Sequence, residues 1–324
     1  MHPLVSKLGL SAAQFGLDGA AGPRSRGPEA EVREMLGLAD RAGVRLLDAG
    51  PASAHGEAVI GAVTPRPCRF RVTVKAARGD KGPELVENEA RASLARLGLT
   101  RADSIMIQAA GDLFAPFGAA VWDRLRKMRD EGLFARIGIS AYASDDPAGL
   151  ARRFRPDIIQ APASLLDQRL LLDGSLARVR DQGVEVHLRS MFLNGPLFRP
   201  PAGPVPAPYQ AAAARVSRAR RMIAEGRSDP LQAALGFALS RPEADAVIVG
   251  AATVAEFSAM VAAAAKPPPD LDWDDMALED PEALDPRRWA AAPAERVCPS
   301  PSGEGVAPRA RRVGNPGEEP MRLG

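Results

Sequence analysis

Cysteine, histidine and lysine are all scarce in this 324-residue sequence. Cys68 and Cys298 are too few for a disulfide framework or a cysteine metal site. The three histidines, His2, His55 and His187, lack the spacing of zinc ligands, so no metal is expected. An excess of one charge is missing too, since 42 basic residues meet 40 acidic ones for a net +2. No basic stripe with interleaved aromatics is present, which argues against nucleic acid as a partner. No apolar run approaches the roughly 20 residues of a membrane span. No leader-like segment precedes the first apolar run, so the cytoplasm is the expected compartment. Only five of the 42 basic residues are lysines, which draws attention to where each one falls.

What the sequence does have is alternation. Eight short β-like runs are expected at Leu8–Phe15, Val44–Asp48, Phe70–Lys75, Ser104–Gln108, Ala135–Ser140, Asp157–Gln160, Val184–Arg189 and Ala246–Val249. Between them lie amphipathic segments such as Glu29–Ala42, Glu84–Leu97, Trp122–Glu131 and Leu165–Gln182. In the first of these, Val32, Met35, Leu36 and Ala39 recur at helical spacing. Gly43, Gly98, Gly132 and Gly183 follow helical stretches, where a left-handed C-cap suits glycine. Eight β–α units over about 260 residues predict an α/β fold of the closed (β/α)8 TIM-barrel type. The rival, an open doubly wound sheet, lacks the G-x-G-x-x-G expected after its first strand.

Residues 1–289 are expected to form the barrel with a C-terminal capping segment. The Pro- and Gly-rich stretch Leu193–Pro208 reads either as a lid at the barrel mouth or as an irregular connection. Leu284–Trp289 is expected to dock back as the cap. Residues 290–324 are rich in Pro, Gly, Arg and Glu and poor in large apolar residues, so disorder is expected there.

Two charged residues end strands. Asp48 closes the run Val44–Leu47, and Lys75 closes Phe70–Val74. Chemistry in such barrels sits at the C-terminal ends of the strands. A Lys–Asp pair in a dry mouth is a candidate functional site, and a strand-end salt bridge is the plainer alternative.

At these residues the sequence resembles the aldo/keto reductase family. The resemblance runs through Leu8-Gly9-Leu10-Ser11-Ala12-Ala13-Gln14-Phe15-Gly16, then Leu47-Asp48-Ala49-Gly50-Pro51, then Gly56-Glu57-Ala58-Val59-Ile60-Gly61. It continues through Val74-Lys75, Asp103–Ile107, Gly138-Ile139-Ser140, Ile159–Pro162 and Leu166-Asp167-Gln168-Arg169. It ends with Arg189–Gly195 and Val247–Ala251, covering residues 7 to about 265 in family order. The resemblance implies NADPH-linked reduction of an aldehyde, ketone or sugar carbonyl. In the family, a tyrosine protonates the developing alkoxide, a lysine and an aspartate tune it, and a histidine orients the substrate.

Asp48 and Lys75 fall on two of those four positions, and the other two depart. Ser53 stands at the tyrosine position and Gln108 at the histidine position. A serine hydroxyl is a far weaker acid than a phenol, and glutamine donates hydrogen bonds without titrating. Loss of a general acid alone costs about 10²–10⁴-fold. His55, two residues past Ser53, is the candidate replacement acid, with an exposed loop histidine as the alternative. His187 shares a strand side with Arg189, as a core residue or a substrate contact.

The resemblance places the nicotinamide carboxamide at Ser140 and Gln160, beside Ala141 where an asparagine is usual. Arg189 replaces the stacking aromatic, and Ser190, Phe192, Leu193 and Gly195 would follow the pyrophosphate. Gly250, Ala251, Thr253 and Glu256 match the adenosine-phosphate segment, without an obvious basic residue. NADP(H) is the cofactor the resemblance implies, with NAD(H) as the alternative. Two readings stay open: an oxidoreductase with an altered proton relay, and a catalytically silent barrel that binds a nucleotide or sugar or serves an assembly. A lyase or isomerase using Lys75 as a base or Schiff-base amine is a third, and Asp48 beside the amine opposes the depressed pKa it needs.

Overall fold

A computed structural model describes residues 3–15, 28–50, 54–199, 205 and 207–289. The β-branched and aliphatic runs form eight strands: β1 Leu8–Ser11, β2 Leu46–Asp48, β3 Arg71–Lys75, β4 Ala102–Ile107, β5 Phe134–Ser140, β6 Ile158–Pro162, β7 Glu185–Arg189 and β8 Ala246–Gly250. All pair in parallel with their sequence neighbours, and β8 pairs with β1, so the barrel is closed. The expected TIM barrel is the observed fold.

Several boundaries differ from expectation. β1 stops at Ser11, because the amide of Phe15 donates to the carbonyl of Ala12 and turns the chain. The single helix expected over Leu165–Gln182 is two short ones, Arg169–Leu172 and Ser175–Asp181. Gly174 separates them at φ 72°, and its left-handed conformation ends the first helix.

Strand alternation sorts the side chains into an inner and an outer set. Outward residues such as Leu47, Ile105, Ile137, Val186 and Val247 pack under the helices in one continuous core. Each fully buried aliphatic side chain there is worth about 1.5–3 kcal/mol. Inward residues divide by side of the barrel. Leu46, Ala246 and Ile248 form a small apolar plug. Opposite them, Thr73 and Ser104 share a 2.8 Å hydroxyl hydrogen bond.

The N-terminal pole carries a charge network. Arg71 contacts Asp103 at 3.2 Å and Glu185 at 2.7 Å, and Arg136 reaches the same two carboxylates. His187 lies fully buried above them, with Nε2 2.8 Å from Glu185 Oε1. It is a core histidine, the first of the two roles open for it.

The C-terminal residues dock back as expected. Pro281–Leu284 is a short helix, Trp289 Nε1 donates to the carbonyl of Glu282, and the Trp289 ring meets Tyr209 edge-on at 5.7 Å. Residues 290–324, expected to be disordered, lie outside the described residues.

Candidate active site

Asp48 is the last residue of β2 and Lys75 the last of β3, so both project at the C-terminal pole. Lys75 Nζ lies 3.1 Å from Asp48 Oδ2, with the two side chains 6% and 5% exposed. Gly50 makes the approach possible: a Cβ there would sit 2.7 Å from Lys75 Cβ. Its amide also donates to Asp48 Oδ1 at 3.3 Å.

Gln160, the third residue of β6, bridges the pair. Its Oε1 accepts from Lys75 Nζ at 2.8 Å, and its Nε2 donates to Asp48 Oδ2 at 2.7 Å. The three side chains form a closed triangle. A glutamine amide so placed keeps one N–H and one lone pair for a ligand. Met106, the register partner of Lys75, brings its thioether sulfur to 3.2 Å from Nζ. Burial lowers the Lys75 pKa, Asp48 opposes that, and the charge of Arg189 adds to the lowering. An ammonium with a lowered pKa gives up its proton more readily.

The other expected site residues divide. Ser140, buried at the end of β5, makes no side-chain hydrogen bond among the described residues and faces the neighbouring Gln160 in register. Gln108 is exposed just past β4, on the mouth side. His55 is exposed on the first turn of the helix Ala54–Val63 and shares no hydrogen bond with the pair. Ser53 lies outside the described residues. Of the two tyrosines, Tyr209 is buried and donates to the carbonyl of Leu193 at 2.5 Å. Burial pushes its phenol well above the usual range, which disqualifies it as an acid.

After β7 the backbone is strained. Ser190, Leu193 and Asn194 sit at φ 63°, 45° and 59°, followed by Gly195 at 84°. Left-handed non-glycine residues cost of order 1–3 kcal/mol each and cluster at ligand sites. Arg189 closes β7, its Nη2 donating to the Ala141 carbonyl at 3.0 Å and its Nη1 to Ser190 Oγ at 3.1 Å. Its guanidinium lies 4.1 Å from the centre of the Tyr142 ring, and that of Arg287, from the docked C-terminal segment, lies 3.8 Å from it.

The helix Val254–Ala264 follows β8, and Thr253 caps it by accepting the Glu256 amide at 3.1 Å. Two carboxylates occupy this N-terminus. Glu256 accepts the Ala252 amide and Glu31 accepts the Val254 amide, each at 2.7 Å. Neither the bridging role of Gln160 nor the parts of Met106, Tyr142, Arg287 and Glu31 were visible in the sequence. Only the β3–β4 register, had it been known, would have pointed to Met106.

Two cavities lie elsewhere. One of about 730 Å³ is lined by Arg136, Arg152, Arg155 and Glu185, and one of about 470 Å³ by Cys68, Phe70, Arg101 and Asp103. Both open toward the opposite pole from Lys75. No group of His, Cys, Asp and Glu able to hold a metal exists among the described residues.

A closed parallel barrel with a lysine–aspartate pair at its mouth defines the class. A model of the Aldo/keto reductase family matches residues 7–277, and the chain belongs to that family. Its members are oxidoreductases of aldehydes and ketones that use nicotinamide cofactors. The chain is 31% identical over 122 residues to an aldo-keto reductase of Mycolicibacterium smegmatis, covering 36% of this chain and 42% of that one. It is 27% identical over 204 residues to an NADH-specific methylglyoxal reductase of Escherichia coli, covering 56% and 61%. These matches span about half the length of the curated relatives. The holo form of an aldo-keto reductase from Bacillus halodurans superposes with a TM-score of 0.66 at 19% identity, covering 83% of this chain and 89% of that one.

Proposed function

We propose that the chain is a nicotinamide-dependent carbonyl reductase with an altered proton relay, in which Lys75 donates the proton. The observation that carries this reading is the buried Lys75–Asp48 pair at the mouth, held by Gln160. A bound reduced nicotinamide supplies the hydride. Asp48 holds Lys75 in place, and burial makes its ammonium a better acid than a free lysine. As the carbonyl oxygen gains charge, Lys75 exchanges its weak bond to the Met106 sulfur for that oxygen and then protonates it. Gln108, exposed at the rim, is the second donor to that oxygen. His55 is the less favoured acid, because it stands exposed on its helix and shares no hydrogen bond with the pair among the described residues.

The donor set fits the cofactor. The unoccupied Ser140 hydroxyl and the remaining N–H of Gln160 suit a carboxamide, and the strained residues 190–195 suit close backbone approach to phosphates. Cofactor choice follows from the helix after β8. Glu31 and Glu256 already place two carboxylates at its N-terminus, on the amides of Val254 and Ala252. A 2′-phosphate there would meet like charge, whereas a ribose hydroxyl can donate to a carboxylate. NAD(H) is therefore the proposed cofactor over NADP(H). The E. coli relative, whose name marks it as NADH-specific, supports this.

The test is a fluorescence titration with NADH and NADPH. NADH should bind more tightly, and Glu31→Gln with Glu256→Gln should narrow the gap by about tenfold, since each charge at a helix N-terminus is worth roughly 0.3–1 kcal/mol. Binding of neither nucleotide would favour the second reading, a silent barrel. The mutual satisfaction of Lys75, Asp48 and Gln160 within the triangle supports that alternative.

A further inference from the structure

Three cations and three carboxylates meet at the mouth, but the carboxylates are shared unevenly. Lys75 is matched by Asp48. Arg287 is matched twice, by Asp285 at 2.7 Å and Asp145 at 3.3 Å. Arg189 has no carboxylate within ion-pair distance among the described residues. Its bonds go to a carbonyl and a hydroxyl, both neutral. Its Nε is buried and donates to nothing. Asp145, the carboxylate whose charge reaches it, is tied to Arg287 and to the amide of Tyr142. Burial makes the cationic form of Arg189 costly, and Arg287 adds to that cost.

A buried cation without a counter-charge is expensive unless something supplies one. Arginine presents N–H groups in a planar fork that suits the oxygens of a carboxylate or phosphate. The Tyr142 ring, 4.1 Å from the guanidinium carbon, helps hold the group at this place. Arg189 closes β7 and Lys75 closes β3 at the same pole, so the two groups share one mouth.

We propose that Arg189 is the anchor for an anionic group, a carboxylate or phosphate, carried by the carbonyl substrate. The substrates are then oxo acids or aldehyde phosphates in preference to neutral aldehydes. This rests on the carbonyl-reductase reading above and names its substrate class. The reaction is unchanged: hydride adds to the carbonyl carbon, the π electrons move to oxygen, Lys75 supplies the proton, and the nicotinamide is oxidised.

The experiment compares kcat/KM for 4-oxobutanoate with butanal, and for glyceraldehyde 3-phosphate with glyceraldehyde, in the full chain and in Arg189→Gln and Arg189→Lys. Calorimetric binding of 4-hydroxybutanoate and of inorganic phosphate is measured on the same proteins. In the unsubstituted chain at least one charged member of the two pairs should be preferred by about tenfold or more, in line with charge-assisted hydrogen bonds. Arg189→Gln should bring that ratio toward one, and Arg189→Lys should restore part of it. Reduction of neutral and charged aldehydes alike overturns the anchor while leaving the reductase reading intact. Weaker NADH and NADPH binding in Arg189→Gln, with the substrate ratio unchanged, assigns the anion to the cofactor and also overturns it. If no aldehyde is reduced, the reductase reading fails. Arginine-dependent binding of 4-hydroxybutanoate or phosphate would then still support the anion site, and its absence would sink that too.

Discussion

Lys75 shows how burial and partnership set a residue's chemistry. Removing its water lowers the pKa, and Asp48 limits how far it falls. Because the folded value lies below the 10.5 of a free lysine, the unfolded chain binds more protons between the two. Stability therefore rises with pH through that window, and the penalty is fully present below it. Lys75→Met should remove this alkaline rise from denaturation curves measured at several pH values. It should also abolish carbonyl reduction with fold and cofactor affinity retained. Full turnover in Lys75→Met would end the assignment of Lys75 as proton donor. The pair itself was legible in the sequence, because an aspartate and one of only five lysines ended two apolar runs. Gln160 was legible as a polar strand residue and a family match, but its bridge to both partners depends on the β6 side of the barrel facing β2 and β3.

At the scale of elements, the β2 end works as a seat for the β3 end. The stem of Lys75 lies against Gly50, where any side chain would collide with it. Gly50→Ala should displace the amine. We expect catalysis to fall by about 10²-fold, in keeping with the penalty for ångström-scale misplacement. The melting temperature should change far less than kcat/KM; a large loss of stability with catalysis spared would contradict this. The strands were read to within a few residues because β-branched runs bounded by glycine and proline are strong signals. The break at Gly174 was missed because Leu165–Gln182 keeps helical spacing across it, and one glycine in such a pattern is ambiguous. The docking of Arg287 on Tyr142 was invisible for a different reason: it joins residues far apart in sequence.

For the whole molecule, the two poles of the barrel divide the labour. The C-terminal pole holds the candidate chemistry, and the N-terminal pole holds the network of Arg71, Asp103, Arg136, Glu185 and His187. Burial alone would raise the Glu185 carboxyl, but His187 and Arg71 outweigh it and pull it from 4.5 to about 2. A carboxylate with a depressed pKa contributes stability above pH 4.5 that is lost as pH falls toward 2. Chemical denaturation across that range should show the loss. Glu185→Gln should flatten this acid limb and lower stability at pH 7, with kcat/KM little changed. An unaltered acid limb would show that the network adds nothing.

Closure of the ring sets the order in which this chain can become safe from its neighbours. Leu8 to Ser11 pair with Val247 to Gly250, nearly the full length of the barrel sequence away. Until β8 has arrived, β1 and β7 each present a row of unpaired amides and carbonyls, a template for strand addition by another molecule. Pairings of such long sequence separation form slowly. Self-association of this protein is thus a hazard of the unfinished barrel, and a chain interrupted before Ala246 would carry that hazard permanently.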